Sequence, residues 1–468
     1  MKRIKLFASL IMSTSLLSWG AVSADSADLL SIDSAPNRPK NMVIMIGDGM
    51  GPAYTSAYRY YQDNPNTQEI EQTVFDRLFV GKASTYPAAV SGLVTDSAAA
   101  ATALATGVKS YNGAISVDTN KQPIPTLLEL AKRRGMSTGV AVTSQINHAT
   151  PAAFLSHEAD RSHYDALAQS YLNTDADLML GGGQKYFPAS LIKQFEAKGY
   201  HYLSDFSRLN DLNQPKVIGL FAEVELPWAI DEPNTNRLSK MVQKALELLS
   251  RNDKGFVLLV EGSLIDWAGH DNDIASAMAE IHEFANAVEV VEQYVRNNND
   301  TLMVVTADHN TGGLSIGAND EYRWDPQVLR TIQASPEKIA KDAVAIDDWR
   351  TLVELRLGLE LDEQEYQQLA NARMQGQKRL HASLKQLIDK RSNTGWTTEG
   401  HTGIDVQVFA SGPASPLFFG QLDNTDIAKH LISLLPKEPQ PKAQTKAVAP
   451  TKPVNTALPS LVTLDKNT

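Results

Sequence analysis

Carboxylates and imidazoles recur in this chain just past short apolar runs, where a strand would hand over to a loop. Asp48 follows residues 42–46 within Gly47-Asp48-Gly49-Met50-Gly51. His148 and Thr150 follow residues 138–143. Glu261 comes directly after residues 256–260, and Asp266 and His270 lie beyond it, four apart and so on one face of a helical turn. Asp308 and His309 follow residues 301–305, and His401 stands ahead of residues 406–410. There is no cysteine, so the donors are oxygen and imidazole nitrogen. Carboxylate with imidazole suits zinc or a similar divalent ion, and carboxylate with hydroxyl suits magnesium. The set is enough for about three ions. Each fragment also has a plain structural reading: an Asp-Gly turn, a chance Asp-x-x-x-His, a core histidine beside a capping aspartate.

Ser97 is the one nucleophile whose surroundings stand out. It opens a run of strong helix formers that ends at Gly107, a good helix stop. That places it at a helix N-terminus, where unpaired amides and the dipole favour anions. Taken alone, Thr95-Asp96-Ser97 reads first as a cap. Beside a cluster of divalent ions the serine fits phosphoryl transfer. Two ions roughly 4 Å apart can clamp the attacking and leaving oxygens, and an arginine can grip the others in pairs. Gly181-Gly182-Gly183 is a weak phosphate-loop signal, without the following Lys-Ser/Thr of a P-loop.

The elements that must position these residues alternate between apolar β-branched runs and helical stretches. The runs at 42–46, 138–143, 177–180, 256–260, 301–305 and 406–410 read as buried strands. Helices are expected over 125–134, 274–296 and 426–435. The fold class is therefore α/β, a three-layer sandwich with a central, mostly parallel sheet between helices. With parallel strands, the polar residues above gather along one sheet edge, the edge where such sheets bind ligands. Residues 321–395 break the pattern and read as a helical insertion, with one helix over 347–358 and a longer one over 362–391. The catalytic domain spans 36–436.

Residues 1–24 read as a cleavable export signal: Lys2, Arg3 and Lys5, then an apolar stretch too short to span a bilayer, then Val22-Ser23-Ala24. A periplasmic or secreted location follows, with no membrane span. Its removal takes net charge from -11 to -14, which argues against nucleic acid as a specific partner. Residues 437–468, rich in proline and lysine, read as a flexible tail.

Six motifs in order resemble the alkaline phosphatase family: Gly-Asp-Gly-Met-Gly at 47–51, Thr-Asp-Ser-Ala-Ala at 95–99, Ala-Thr-Pro-Ala-Ala at 149–153, Glu-Gly-x-x-Ile-Asp at 261–266, Ala-Asp-His at 307–309 and Gly-His-Thr at 400–402. The resemblance implies hydrolysis of phosphate monoesters, with release of inorganic phosphate, through a phosphoserine on Ser97. It implies two zinc ions, one magnesium ion and a homodimer. Asp48, Asp308 and His309 match one zinc site, and Asp266, His270 and His401 the other. Asp48, Thr150 and Glu261 match the magnesium site, with His148 where some members carry an aspartate, and Arg161 matches the phosphate-binding arginine. Trp267 replaces the lysine of the best-known bacterial members, so it cannot meet phosphate as a charge; it either shapes the pocket mouth or packs. The other histidines, His157 among them, are assigned to surface or structure. Two competing readings are a phosphodiesterase on the same metal core, which Arg161 argues against, and a metal-stabilised phosphate-binding protein without turnover. A sulfatase fits less well, because there is no Cys and no Ser-x-Pro-x-Arg at the nucleophile.

Overall fold

The computed structural model describes residues 38–232 and 236–438. The expected export signal and the expected tail beyond Glu438 lie outside the described residues. Fourteen strands occur among the described residues: β1 (Asn41–Gly47), β2 (Phe79–Ser84), β3 (Ser137–Gln145), β4 (Leu178–Gly182), β5 (His201–Leu203), β6 (Val217–Leu220) and β7 (Phe256–Gly262) in the first part. The second part holds β8 (Thr301–Ala307), β9 (Asn310–Thr311), β10 (Ser315–Ile316), β11 (Thr394–Gly395), β12 (His401–Thr402), β13 (Val406–Ser411) and β14 (Gly420–Asp423).

Ten of them form one sheet in the order β14-β2-β13-β8-β1-β7-β3-β4-β6-β5. Neighbours are parallel except at β13, which runs against both β8 and β2. Every residue of β1, β7 and β8 is buried, so helices cover both faces of the sheet centre, and these strands read as unbroken apolar runs for that reason. The helix Ile274–Asn297 packs against β1, β7 and β8. The α/β sandwich is therefore as expected, with four strands of this sheet that the reading did not contain: β2, β5, β6 and β14. β5 and β6 are three and four residues long, and β2 mixes glycine and lysine with its apolar residues.

The topology delivers the chemistry to one edge. β1, β3, β7 and β8 end there, while β13, running the other way, begins there. Two short antiparallel pairs lie above this edge: β9 with β12, which sets Thr311 opposite His401, and β10 with β11. Between β10 and β11 lie five helices: Pro326–Arg330, Pro336–Val344, Trp349–Leu357, Glu363–Met374 and Gln377–Ser392. The single helix read over 362–391 is thus two, broken at Gly376, whose φ of 101° lies outside helical space.

Candidate active site

Ser97 is the first residue of the helix Ser97–Thr106, which closes on Gly107 in the left-handed conformation. Asp96 caps it, accepting the Ala99 amide at 2.9 Å. Asp96 does more than cap: its other oxygen accepts the Gly113 amide at 3.0 Å and lies 3.2 Å from Arg161 Nη1. Sequence reasoning saw the cap and missed the link to Arg161, because the partner lies 65 residues away. Ser97 Oγ lies 3.1 Å from His309 Nε2.

His309 is the hinge of the site. Its Nε2 also lies 3.3 Å from Asp48 and 3.2 Å from Asp308, all three side chains fully buried. Asp48 leaves the end of β1 through Gly49, at φ 68°, where a Cβ would sit 2.6 Å from Thr311 Oγ1 and 2.8 Å from Asp266. Glycine is required there because the turn passes under the cluster. The Gly49 amide holds Asp308 at 3.0 Å.

The second group lies alongside, with the His309 and His401 rings stacked at 3.6 Å between centroids. His401 Nδ1 lies 2.8 Å from the Thr95 carbonyl, and His270 Nδ1 lies 2.5 Å from the Glu399 carbonyl. A carbonyl only accepts, so each Nδ1 donates and each Nε2 keeps a lone pair. Those two Nε2 atoms face one another at 3.1 Å, and Asp266 is 3.4 Å from one and 3.7 Å from the other. Lone pairs and a carboxylate converging on one point call for a cation between them. Thr311 hydrogen-bonds Asp266 and lies 3.2 Å from His309 Nδ1. It was not singled out in the sequence, where a threonine two residues past a ligand carries no signal.

Glu261, Thr150 and His148 meet Asp48 on the other side. Ser263 donates to one Glu261 oxygen at 2.7 Å. The other Glu261 oxygen, both Asp48 oxygens, Asp308 Oδ2, Thr150 Oγ1 and His148 Nδ1 are buried without a hydrogen-bond partner. Buried polar atoms are seldom left unpaired, and six of them converging at one edge fit a bound cation cluster. Three sets of side chains offer converging donor atoms: Asp48, Asp308 and His309; Asp266, His309 and His401; Asp48, His148 and Glu261. Arg161 reaches in with Nη2 3.2 Å from His148 Nε2. The Trp267 ring lies edge-on to His148 at 5.8 Å. All eleven residues singled out by sequence thus gather at one edge.

Electrostatics agree with this fit. Burial, then the neighbouring Asp308, Asp266 and Glu261, push the Asp48 carboxyl well above its usual range. Burial lifts Glu261 to about 7. Burial drops His148 to about 3, with Arg161 adding to the effect, and burial with His309 drops His401 to about 4. Burial works against charge on Asp308 and His309 too, but their mutual attraction outweighs it, lowering Asp308 and raising His309. Neutral imidazoles beside crowded carboxylates are what divalent ions bind.

Gly181-Gly182-Gly183 has a packing role instead of a phosphate role: a Cβ on Gly182 would collide with the Val224 carbonyl.

Comparison with known proteins gives the same picture. The alkaline phosphatase family model matches residues 39–436. Alkaline phosphatase 3 of Bacillus subtilis (strain 168) is 42% identical over 85% of this chain and 89% of its own length. A solved cold-active alkaline phosphatase from the psychrophile Shewanella sp. is 66% identical, covers 85% of this chain and 100% of its own, and superposes with a TM-score of 0.84. An alkaline phosphatase variant from the Antarctic bacterium TAB5 has aspartate in place of a histidine and Mg bound in the M3 site. It is 25% identical over 85% of this chain and 98% of its own, with a TM-score of 0.65.

Proposed function

Because the chain belongs to the alkaline phosphatase family and is a phosphomonoesterase, we propose that it works through a phosphoserine on Ser97, with two zinc ions and one magnesium ion at the sheet edge. Asp48, Asp308 and His309 would hold one zinc, and Asp266, His270 and His401 the other. Asp48, Thr150 and Glu261 would hold magnesium with His148 beside it, in line with the Mg of the TAB5 variant. Bound there, divalent ions supply positive charge that lowers the cost of an alkoxide on the attacking and leaving oxygens.

The chain's own residues do the rest. Ser97 Oγ attacks phosphorus as the ester oxygen leaves, and water then cleaves the phosphoserine to release inorganic phosphate. Arg161 grips the non-bridging oxygens, with Asp96 fixing its guanidinium toward Ser97. One observation carries this reading: the Ser97 hydroxyl lies 3.1 Å from His309 Nε2, the atom that Asp48 and Asp308 also face. Export directed by residues 1–24 and a homodimer complete the proposal. Among the described residues no helix is long and apolar enough to cross a membrane.

The test is a kinetic comparison of an aryl phosphate with a bis-aryl phosphate. A monoester dianion needs the Arg161 charge, so the monoester is expected to have the higher kcat/KM. A preference for the diester would overturn the proposed role of the site.

A further inference from the structure

Four residues ahead of Arg161, His157 engages both of its ring nitrogens. Nδ1 lies 2.8 Å from the Ser116 carbonyl and Nε2 lies 3.0 Å from a Glu129 oxygen. The other Glu129 oxygen accepts the Thr126 amide at 3.0 Å, closing the capping box of the helix Leu127–Arg133. Both partners of the ring are acceptors. A neutral imidazole has one N–H and would turn a lone pair toward one of them; an imidazolium satisfies both.

The partners connect to the nucleophile. The Ser116 amide donates to Thr102 in the helix that Ser97 opens, at 2.8 Å. Ile115 and Glu158 exchange both amide hydrogen bonds at 2.9 Å, and the Arg161 amide donates to the Gly113 carbonyl at 2.9 Å. Residues 113–116 therefore form a strip joined on one side to the Ser97 helix and on the other to the loop carrying Arg161.

We infer that His157 is a positioning residue: its charged, two-ended bridge fastens the Arg161 loop to the Ser97 helix and so sets the guanidinium over the nucleophile. The inference rests on the proposed role of Arg161 in holding phosphate. The charged groups facing the ring are Glu129 and, more distantly, Arg133 of the same helix. Burial alone would lower the His157 pKa, but Glu129 and the Ser116 carbonyl outweigh it and hold the pKa above the usual histidine value. A raised pKa means that the bridge is complete at acid pH and loses one of its two bonds as pH rises through that value.

The experiment measures KM and the inhibition constant of inorganic phosphate for wild type, His157→Gln, Arg161→Ala and the double variant. Glutamine pairs one donor nitrogen with one acceptor oxygen and so mimics the neutral ring, which likewise donates at one end only. His157→Gln is expected to raise both constants about tenfold at about pH 6, with the ratio to wild type shrinking toward one at about pH 9. In the Arg161→Ala background it is expected to change neither. Melting curves report folding. Should His157→Gln not fold, His157→Asn, whose amide nitrogen can keep the bond to the Ser116 carbonyl while no cation faces Glu129, carries the same expected pattern. Constants unchanged at both pH values, or the same factor with and without Arg161, would overturn the inference. If Arg161→Ala itself leaves phosphate binding intact, the role of Arg161 fails and this inference with it. If Arg161→Ala weakens binding and His157→Gln does not, this inference fails alone.

Discussion

A serine hydroxyl is a weak nucleophile, and Ser97 differs from other serines by placement. It is buried at the first position of a helix, beside His309 and under an arginine held by its own neighbour, Asp96. The same logic governs Glu261. Its ordinary value is 4.5, and burial carries it to about 7 in the protein without ions. Because the folded value is raised, ionising Glu261 costs stability progressively as pH rises from about 4.5 to about 7. Glu261→Gln should therefore make chelated protein more stable than chelated wild type at about pH 8, and equal to it at about pH 4, by urea unfolding. It should also weaken retention of the third ion. A variant less stable than wild type at the higher pH would contradict the burial argument. The candidate ligands themselves were legible in the sequence because most follow an apolar run, and His401 stands just ahead of one. Their supports were not: the Thr95 and Glu399 carbonyls, Thr311, and the second role of Asp96 arise from chain segments that meet only in the fold.

At the scale of elements, parallel strands explain why residues as far apart as Asp48 and Asp308 share a site, and the reversed β13 explains how His401 joins them. The central strands were readable as apolar runs. β2, β5, β6 and β14 were not, since short or glycine-bearing strands near the sheet margins carry little pattern. The helix Gln377–Ser392 shows what the stretch between β10 and β11 adds. Lys385 hydrogen-bonds both the backbone and the carboxylate of Asp271, the residue after His270, and His381 lies 3.1 Å from the same carboxylate. From its far end Asp389 accepts Trp396 Nε1 at 3.2 Å, three residues before the carbonyl that orients His270. The helix thus braces His270 from both sides. Lys385→Met should weaken ion retention at the Asp266, His270 and His401 site by about tenfold, as loss of a supporting contact does. Competition with a chromophoric chelator measures it; unchanged retention would show the brace to be irrelevant to the ion.

The whole molecule has no cysteine to staple it, and its large core alone leaves a knot of buried carboxylates and imidazoles at one sheet edge. Such a knot is costly unless cations neutralise it, so on the proposed reading fold and activity depend on the same ions. The family places the chemistry as phosphomonoester hydrolysis, and the proposed mechanism makes Ser97 the group that forms and loses the covalent bond. Acid quenching of the zinc-loaded protein during turnover of a radiolabelled monoester, followed by peptide mapping, tests this most directly. The account predicts label on the peptide at Ser97, and none in Ser97→Ala, which should keep its ions and lose turnover. Turnover at the wild-type rate in Ser97→Ala, or label recovered on another residue, would contradict it.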